Sequence, residues 1–255
     1  YNVSMTRYKA RIAYDGTDFA GFQIQNNGRT VQEELERVLA RLNSGQPVKL
    51  HGSGRTDSGV HALAQIIHFD LPQARDTEKL RFALDTQTPD DIDVLELELV
   101  ADDFHSRFQP HSKTYQYRLT TSRANNPLTR RFSYHFPKIV AFDNMVAAAQ
   151  LLVGTHDFTG FTASGATVED KVRTITQADV VRSGTDEILF IFSGNGFLYK
   201  QVRNMVGTLV KIGAGKWPVT RVSEILVAQN RDLAGPTALA HGLCLMEVRY
   251  DDDNA

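Results

Sequence analysis

A single cysteine, Cys244, stands in a chain of 255 residues, which excludes an internal disulfide framework. Its setting, Leu243-Cys244-Leu245-Met246, reads as a place for a small buried hydrophobe. Long apolar runs are also missing. No stretch approaches the roughly 20 residues that cross a bilayer, and Tyr1-Asn2-Val3-Ser4-Met5 lacks the apolar core of a signal peptide, so a cytoplasmic location is expected. There is no Gly-x-x-x-x-Gly-Lys-Ser/Thr loop to support P-loop nucleotide hydrolysis, and no Gly-x-Ser-x-Gly elbow for a serine hydrolase. His51, His61 and His68 have neither cysteine partners nor a His-Glu-x-x-His arrangement, so they read as satisfied or surface histidines rather than zinc ligands.

The most local absence is of acid. From Phe104 to Phe142 there is not one Asp or Glu, while Arg107, Lys113, Arg118, Arg123, Arg130, Arg131 and Lys138 all fall there. Phe104, Phe108, Tyr115, Tyr117, Phe132, Tyr134 and Phe136 are interleaved with them, offering stacking faces for bases while the cations neutralise phosphates. An aromatic-rich strand pair with a solvated basic face has the same composition; the missing acids favour RNA or DNA contact. A net charge of −2 conceals the segment. Residues 1–103 carry 11 Lys and Arg against 17 Asp and Glu, a balance of −6, whereas residues 104–255 carry 17 against 13, a balance of +4. Length and charge together suggest two domains, 1–103 and 104–255, with a polyanionic partner approached mainly by one part of the surface.

The elements predicted from pattern are those of an α+β protein. Arg7 to Tyr14 alternates basic with apolar or aromatic residues, as a half-buried strand does, and Asp15-Gly16-Thr17-Asp18 reads as a turn. Thr30-Val31-Gln32-Glu33 has the capping-box pattern, and Val31, Leu35, Val38, Leu39 and Leu42 follow at helical spacing. Strands are expected near 48–51, 65–71 and 92–100, with a helix over 77–85. The second half has a similar mixture, with strands near 113–120, 172–181, 188–193 and 242–250, and helices after Asp143, over 197–211 and over 221–227. On the helix 197–211, Leu198, Val202, Met205, Val206 and Leu209 share one side, with Lys200, Arg203, Asn204, Gly207 and Lys211 opposite. A glycine at 207 removes a side chain where something can approach closely. Arg203 has the fork geometry to hold a carboxylate.

One stretch concentrates chemistry, Gly52-Ser53-Gly54-Arg55-Thr56-Asp57-Ser58-Gly59-Val60-His61-Ala62. It sets a carboxylate near a guanidinium in a loop whose glycines let backbone come close to a ligand. Taken alone, it reads either as a tight connection or as the seat of a reactive Asp.

With Lys113-Thr114-Tyr115-Gln116-Tyr117 and Gln201-Val202-Arg203-Asn204-Met205-Val206-Gly207, in that order and spacing, the stretch resembles the TruA family of tRNA pseudouridine synthases. Tyr14-Asp15-Gly16-Thr17, Gly21-Phe22-Gln23, Phe104-His105-Ser106-Arg107-Phe108, Val172-Arg173-Thr174-Ile175 and the closing residues 236–248 agree with it, so the likeness spans about Tyr8 to Tyr250. Asp170-Lys171 departs from the Ser-Pro expected there in much of the family. The resemblance implies two RRM-like (ferredoxin-like) α+β halves joined in a continuous, mainly antiparallel sheet with a central cleft. It implies isomerisation of uridine to pseudouridine in the anticodon stem-loop of tRNA, at positions 38, 39 and 40. By the same likeness Asp57 is the catalytic carboxylate, Arg203 its ion partner, and Tyr115 the residue that stacks on the target base and can accept its C5 proton. Arg55 occupies the space left by the flipped base, and Lys113, Arg107 and Lys200 contact RNA. A homodimer is implied; metal and organic cofactors are not. The rival readings are a related synthase acting on other RNA uridines and an RNA-binding module without catalysis.

Overall fold

A computed structural model describes residues 4–138 and 140–251. The chain divides into two compact units, Tyr1–Pro110 with Leu245–Ala255, and His111–Cys244. The switch falls at Pro110, a little after the change of charge sign near Asp103, and the chain end belongs to the first unit. Charge sign follows the surface, whereas a unit is defined by what packs on what.

The first unit runs β1 (Thr6–Tyr14), α1 (Val31–Leu42), β2 (Leu50–Gly52), β3 (His61–Leu71), α2 (Thr77–Asp85) and β4 (Ile92–Leu99). Strand β1 is central, antiparallel to β3 on one side and to β4 on the other, and β2 pairs antiparallel with β3. This is the interleaved β-α-β-β-α-β order of a ferredoxin-like layer. On β1, Tyr8, Ala10, Ile12 and Tyr14 are buried. The bases that alternate with them are matched by acids directly across the sheet: Arg7 meets Asp70 of β3 at 2.8 Å, while Lys9 meets Glu98 of β4 at 3.0 Å and Arg11 meets Glu96 of β4 at 2.6 Å. The alternating acids of β4 are thus the counterpart of the alternating bases of β1. Helix α1 starts where the capping box predicts, with Thr30 Oγ1 accepting from Glu33 N at 3.2 Å, and it buries Val31, Leu35, Val38 and Leu39. Helix α2 is capped by Asp76 Oδ1, which accepts from Lys79 N at 2.9 Å.

The second unit runs β5 (His111–Thr120), β6 (Tyr134–His135), α3 (Phe142–Gln150), β7 (Gly154–Asp157), β8 (Val172–Arg182), β9 (Glu187–Gly194), α4 (Gln201–Gly213) and α5 (Arg221–Ala228). Its strands follow the order β5-β9-β8-β7, all antiparallel, with β6 parallel to β5. The succession β5, α3, β8, β9, α4 repeats that of β1, α1, β2, β3, α2. Strands β6 and β7 are too short for periodicity to reveal. The closing strand β10 is Leu243–Tyr250.

Three expectations need correction. Helix α4 begins at Gln201, because Lys200 takes a left-handed conformation (φ 57°) and Leu198 to Lys200 precede it. Its supposedly polar side is largely interior. Asn204 is fully buried; its Nδ2 donates to Phe161 O at 2.8 Å, and its Oδ1 accepts from Thr237 Oγ1 at 2.6 Å and Arg231 Nη2 at 2.9 Å. What comes close at Gly207 is the protein's own backbone, since a methyl there would lie 1.7 Å from Pro236 O. Lastly, Cys244 is only half-buried, because strand alternation turns Leu243 and Leu245 inward and Cys244 the other way.

Candidate active site

The Gly-rich stretch is the turn from β2 to β3 in the first unit, with Gly52 ending one strand and His61-Ala62 opening the next. Its ascending limb is clamped by Gln65, a fully buried residue of β3. Ser53 N donates to Ile66 O at 2.8 Å, Ser53 Oγ donates to Gln65 Oε1 at 2.6 Å, and Gln65 Nε2 donates to Gly54 O at 3.0 Å. The chain then swings outward, leaving Arg55 exposed, and returns to bury Thr56. Thr56 O accepts from Phe22 N at 3.1 Å. Asp57, half-buried, opens a four-residue turn closed by Val60 N donating to Asp57 O at 3.1 Å, and Gly59 in that turn has φ 81°. A positive φ in the third turn position is why glycine stands there.

The descending limb is held by the segment after β1. Gly16 N donates to His61 Nδ1 at 2.9 Å, and Asp15 Oδ1 lies 3.2 Å from the same nitrogen. A methyl on Gly16 would come within 2.0 Å of Val60 O. Ser58 Oγ donates to Phe19 O at 3.2 Å. Asp57 therefore projects from a short arc whose neighbours on both sides are fixed by hydrogen bonds and close packing. Of these anchors the sequence carried a signal for Gln65, an amide inside an apolar run, and for the Tyr14 to Thr17 and Gly21 to Gln23 motifs.

The other histidines of the first unit form a cluster. His68 is buried, with ring centroids 5.0 Å from His51 and 4.5 Å from His105. Ser106 N donates to His68 Nδ1 at 3.1 Å, and Ser106 Oγ donates to His51 O at 3.0 Å. Burial, followed by the neighbouring His105, Arg7 and His51, pushes the His68 pKa down to about 4. Beside it, His105 Nδ1 accepts from Arg107 N at 3.1 Å and Phe108 N at 3.3 Å, a turn that leaves Arg107 and Phe108 exposed. Among the described residues no group of three or more His, Cys, Asp or Glu is placed to hold a metal ion.

In the second unit, Lys113, Tyr115, Tyr117 and Leu119 share the buried face of β5. Tyr115 meets Phe197 edge to face at 5.2 Å. Arg203, in the first turn of α4, is braced by the chain after α5: its Nε donates to Ala238 O at 2.8 Å while Ala238 N donates to its carbonyl at 3.1 Å. Tyr117 Oη donates to Leu239 O at 2.7 Å, and burial raises its pKa far above the usual tyrosine value, with the charge of Arg203 acting in the opposite sense. Lys200 holds its Nζ 5.0 Å from the Tyr199 ring centroid.

Of the seven predicted site residues, Arg55, Asp57 and Arg107 thus belong to the first unit, and Lys113, Tyr115, Lys200 and Arg203 to the second. The acid-free segment also separates into parts. Arg118 is engaged with Glu187 at 3.5 Å, Lys113 is 9% exposed, and Tyr117 is core; Arg123, Arg130, Arg131 and Lys138 face solvent. At the departure from the family pattern, Asp170 Oδ1 accepts from Val172 N at 2.9 Å and Asp170 O accepts from Arg173 Nη1 at 3.0 Å, so the acid caps the start of β8.

A ferredoxin-like first unit presenting one anchored carboxylate, in a chain whose second unit carries an exposed cationic loop, is suited to chemistry on a polyanion. The family model for tRNA pseudouridine synthases matches residues 10–109 and 148–251, and the chain belongs to that family of RNA-modifying isomerases. Within it, this chain is 61% identical over 249 residues to tRNA pseudouridine synthase A of Streptococcus mutans, covering 97% of this chain and 100% of that protein. The enzymes of the same name from Streptococcus agalactiae and Streptococcus pneumoniae are each 60% identical, over 98% and 97% of this chain and over 97% and 100% of their own lengths. The solved Cbf5-Nop10-Gar1 complex aligns with 96% of this chain and 60% of that chain at a TM-score of 0.35 and 9% identity, a likeness too weak to argue from. No helix among the described residues is long and apolar enough to cross a membrane.

Proposed function

We propose that the protein converts uridine to pseudouridine at three consecutive positions of the tRNA anticodon stem-loop, with Asp57 as the catalytic carboxylate. The observation that supports this best is the coincidence of the family match with Asp57 standing half-buried on a turn anchored at both ends. The net reaction breaks the bond from ribose C1′ to N1, joins C1′ to C5, and moves the C5 proton to N1. It needs no redox partner or energy source. The carboxylate serves by attacking C1′, by attacking C6 or by assisting elimination at the ribose, and each route leaves the same product.

In this reading Arg203 is the cation that orients Asp57, its guanidinium already braced against Ala238. Tyr115 stacks on the target base, a contact worth about 1–3 kcal/mol, and accepts the C5 proton. The uridine leaves its stack at a cost of a few kcal/mol, and Arg55, exposed beside Asp57, fills the vacated space. Lys113, sharing the face of Tyr115, and Arg107 and Lys200 contact the RNA. Resemblance extends the proposal to a cytoplasmic homodimer. The test is to map pseudouridine in tRNA from cells lacking the protein. Loss confined to the anticodon arm supports the reading; loss in another RNA favours a relative with a different target; an unchanged pattern, with no paralogue present, refutes it.

A further inference from the structure

Nothing in the proposed chemistry assigns a role to two hydroxyls buried beneath the Asp57 turn. Tyr14 Oη and Thr56 Oγ1 share a hydrogen bond 2.7 Å long, and their residues are 5% and 6% exposed. Thr56 is the residue immediately before Asp57. Its carbonyl is already fixed by Phe22 N at 3.1 Å, and Gly21, with φ 96°, passes so close that a methyl there would lie 3.0 Å from the same oxygen. On the other side, the Asp57 carbonyl is fixed by Val60 N at 3.1 Å. The peptide planes flanking the Asp57 Cα are thus both constrained through backbone atoms, and the Thr56 side chain ties the same arc to the core through its hydroxyl.

Tyr14 is suited to holding that tie. It is the last residue of β1, the central strand of the unit, and its ring is wedged among Phe22, with centroids 6.4 Å apart, and Phe19, with centroids 6.5 Å apart and the rings edge to face. A phenol held this way is a rigid post, in contrast to a serine or threonine hydroxyl on a loop, and its oxygen meets the loop one residue from the carboxylate.

We infer that Tyr14 and Thr56 form a positioning pair that sets the direction in which Asp57 presents its carboxylate to the ribose or base. This rests on the reading of Asp57 as the catalytic group. Displacements of about 1 Å in a reacting group can cost on the order of 100-fold in rate, so a pair of this kind acts on turnover and leaves RNA affinity alone.

The experiment is single-turnover pseudouridine formation on an anticodon stem-loop RNA, with RNA affinity and thermal unfolding measured on the same preparations. Wild type is compared with Tyr14→Phe, Thr56→Val, Thr56→Ser and the Tyr14→Phe/Thr56→Val double variant. The expected result is a loss of about 10- to 100-fold in rate for Tyr14→Phe and Thr56→Val at unchanged Kd. The double variant is no slower than the worse single, since both changes remove one bond, and Thr56→Ser recovers the rate. Lowered Tm with wild-type turnover in the folded protein overturns the pair as a positioning device. So do losses that multiply in the double variant, or a fall in RNA affinity with turnover preserved. If Thr56→Val does not fold, Tyr14→Phe decides alone, because it keeps the ring. The wild-type arm separates the two levels of argument. No product from wild type overturns the proposed activity and this inference with it, whereas an active wild type with unimpaired variants overturns the pair only.

Discussion

Two turns of this chain carry most of its functional promise, and they differ in what they turn toward solvent. The turn from β2 to β3 holds Asp57 on an arc where Ser53, Gly54, Thr56, Asp57, Ser58 and Val60 each have a hydrogen-bond partner in the protein, and where Gly16 and Gly21 pack against its backbone. The connection from β5 to β6, residues 121–133, instead turns Arg123, Arg130 and Arg131 outward, with Leu128 86% exposed. Chemistry at a carbon centre needs a group aimed to within fractions of an ångström, which calls for many local constraints. Neutralising phosphate needs charge at moderate distance, which arginines at the surface can supply.

That contrast is tested most severely at the carboxylate. Asp57→Ala is expected to lower turnover at least about 10³-fold while RNA affinity stays within about twofold, since only the group that meets the reacting atoms is lost. Equal loss of binding and turnover, read by filter binding beside product formation, would mark Asp57 as structural.

The packing around the first unit is open to a pH test. His68 is held neutral, accepting from Ser106 N, with its folded pKa near 4 against about 6.5 unfolded. The unfolded chain therefore binds the extra proton first, so this contribution is complete above about pH 6.5 and is lost as pH falls toward 4. It amounts to no more than about 3 kcal/mol, and His68→Asn, which cannot titrate, should lack that part of the slope in urea unfolding. Parallel pH profiles for the two proteins would remove His68 from the account.

A smaller effect probes the role of close packing. Gly16→Ala forces a methyl toward Val60 O and should destabilise the protein by about 2 kcal/mol while displacing the Asp57 arc. A variant as stable and as active as wild type would mean that the arc yields freely. The smallest effect belongs to the open connection. Replacing Arg123, Arg130 and Arg131 with Ala is expected to weaken tRNA binding about 10-fold, to reduce the salt slope of log Kd by about one for each true phosphate contact, and to leave turnover at saturation unchanged. An unaltered salt slope would take this loop off the RNA path.

Much of the fold was legible because it depends on periodicities that neighbours do not override. The capping box before α1, the alternation of β1 and the limits of α2 all appear where pattern places them. The polar side of α4 misled for a physical reason. Asn204 and Gly207 look solvent-facing by angle, but Phe161, Arg231, Pro236 and Thr237 close over them, and only the fold brings those residues near. The acid-free segment misled in part for the same reason, since a strand buries alternate residues whatever their charge, and Lys113 and Tyr117 fall on the inner side.

The α+β class, the family, and the one stretch in which a carboxylate sits among glycines could all be read from the chain, because they are carried by short-range patterns and by residues adjacent in sequence. That the stretch is an anchored arc, that Gln65 and Tyr14 hold it, and which arginines of the basic segment face solvent were settled only by folding. Those outcomes depend on hydrogen bonds and packing between residues far apart in sequence, whose pairing exists only once the strands have found their register.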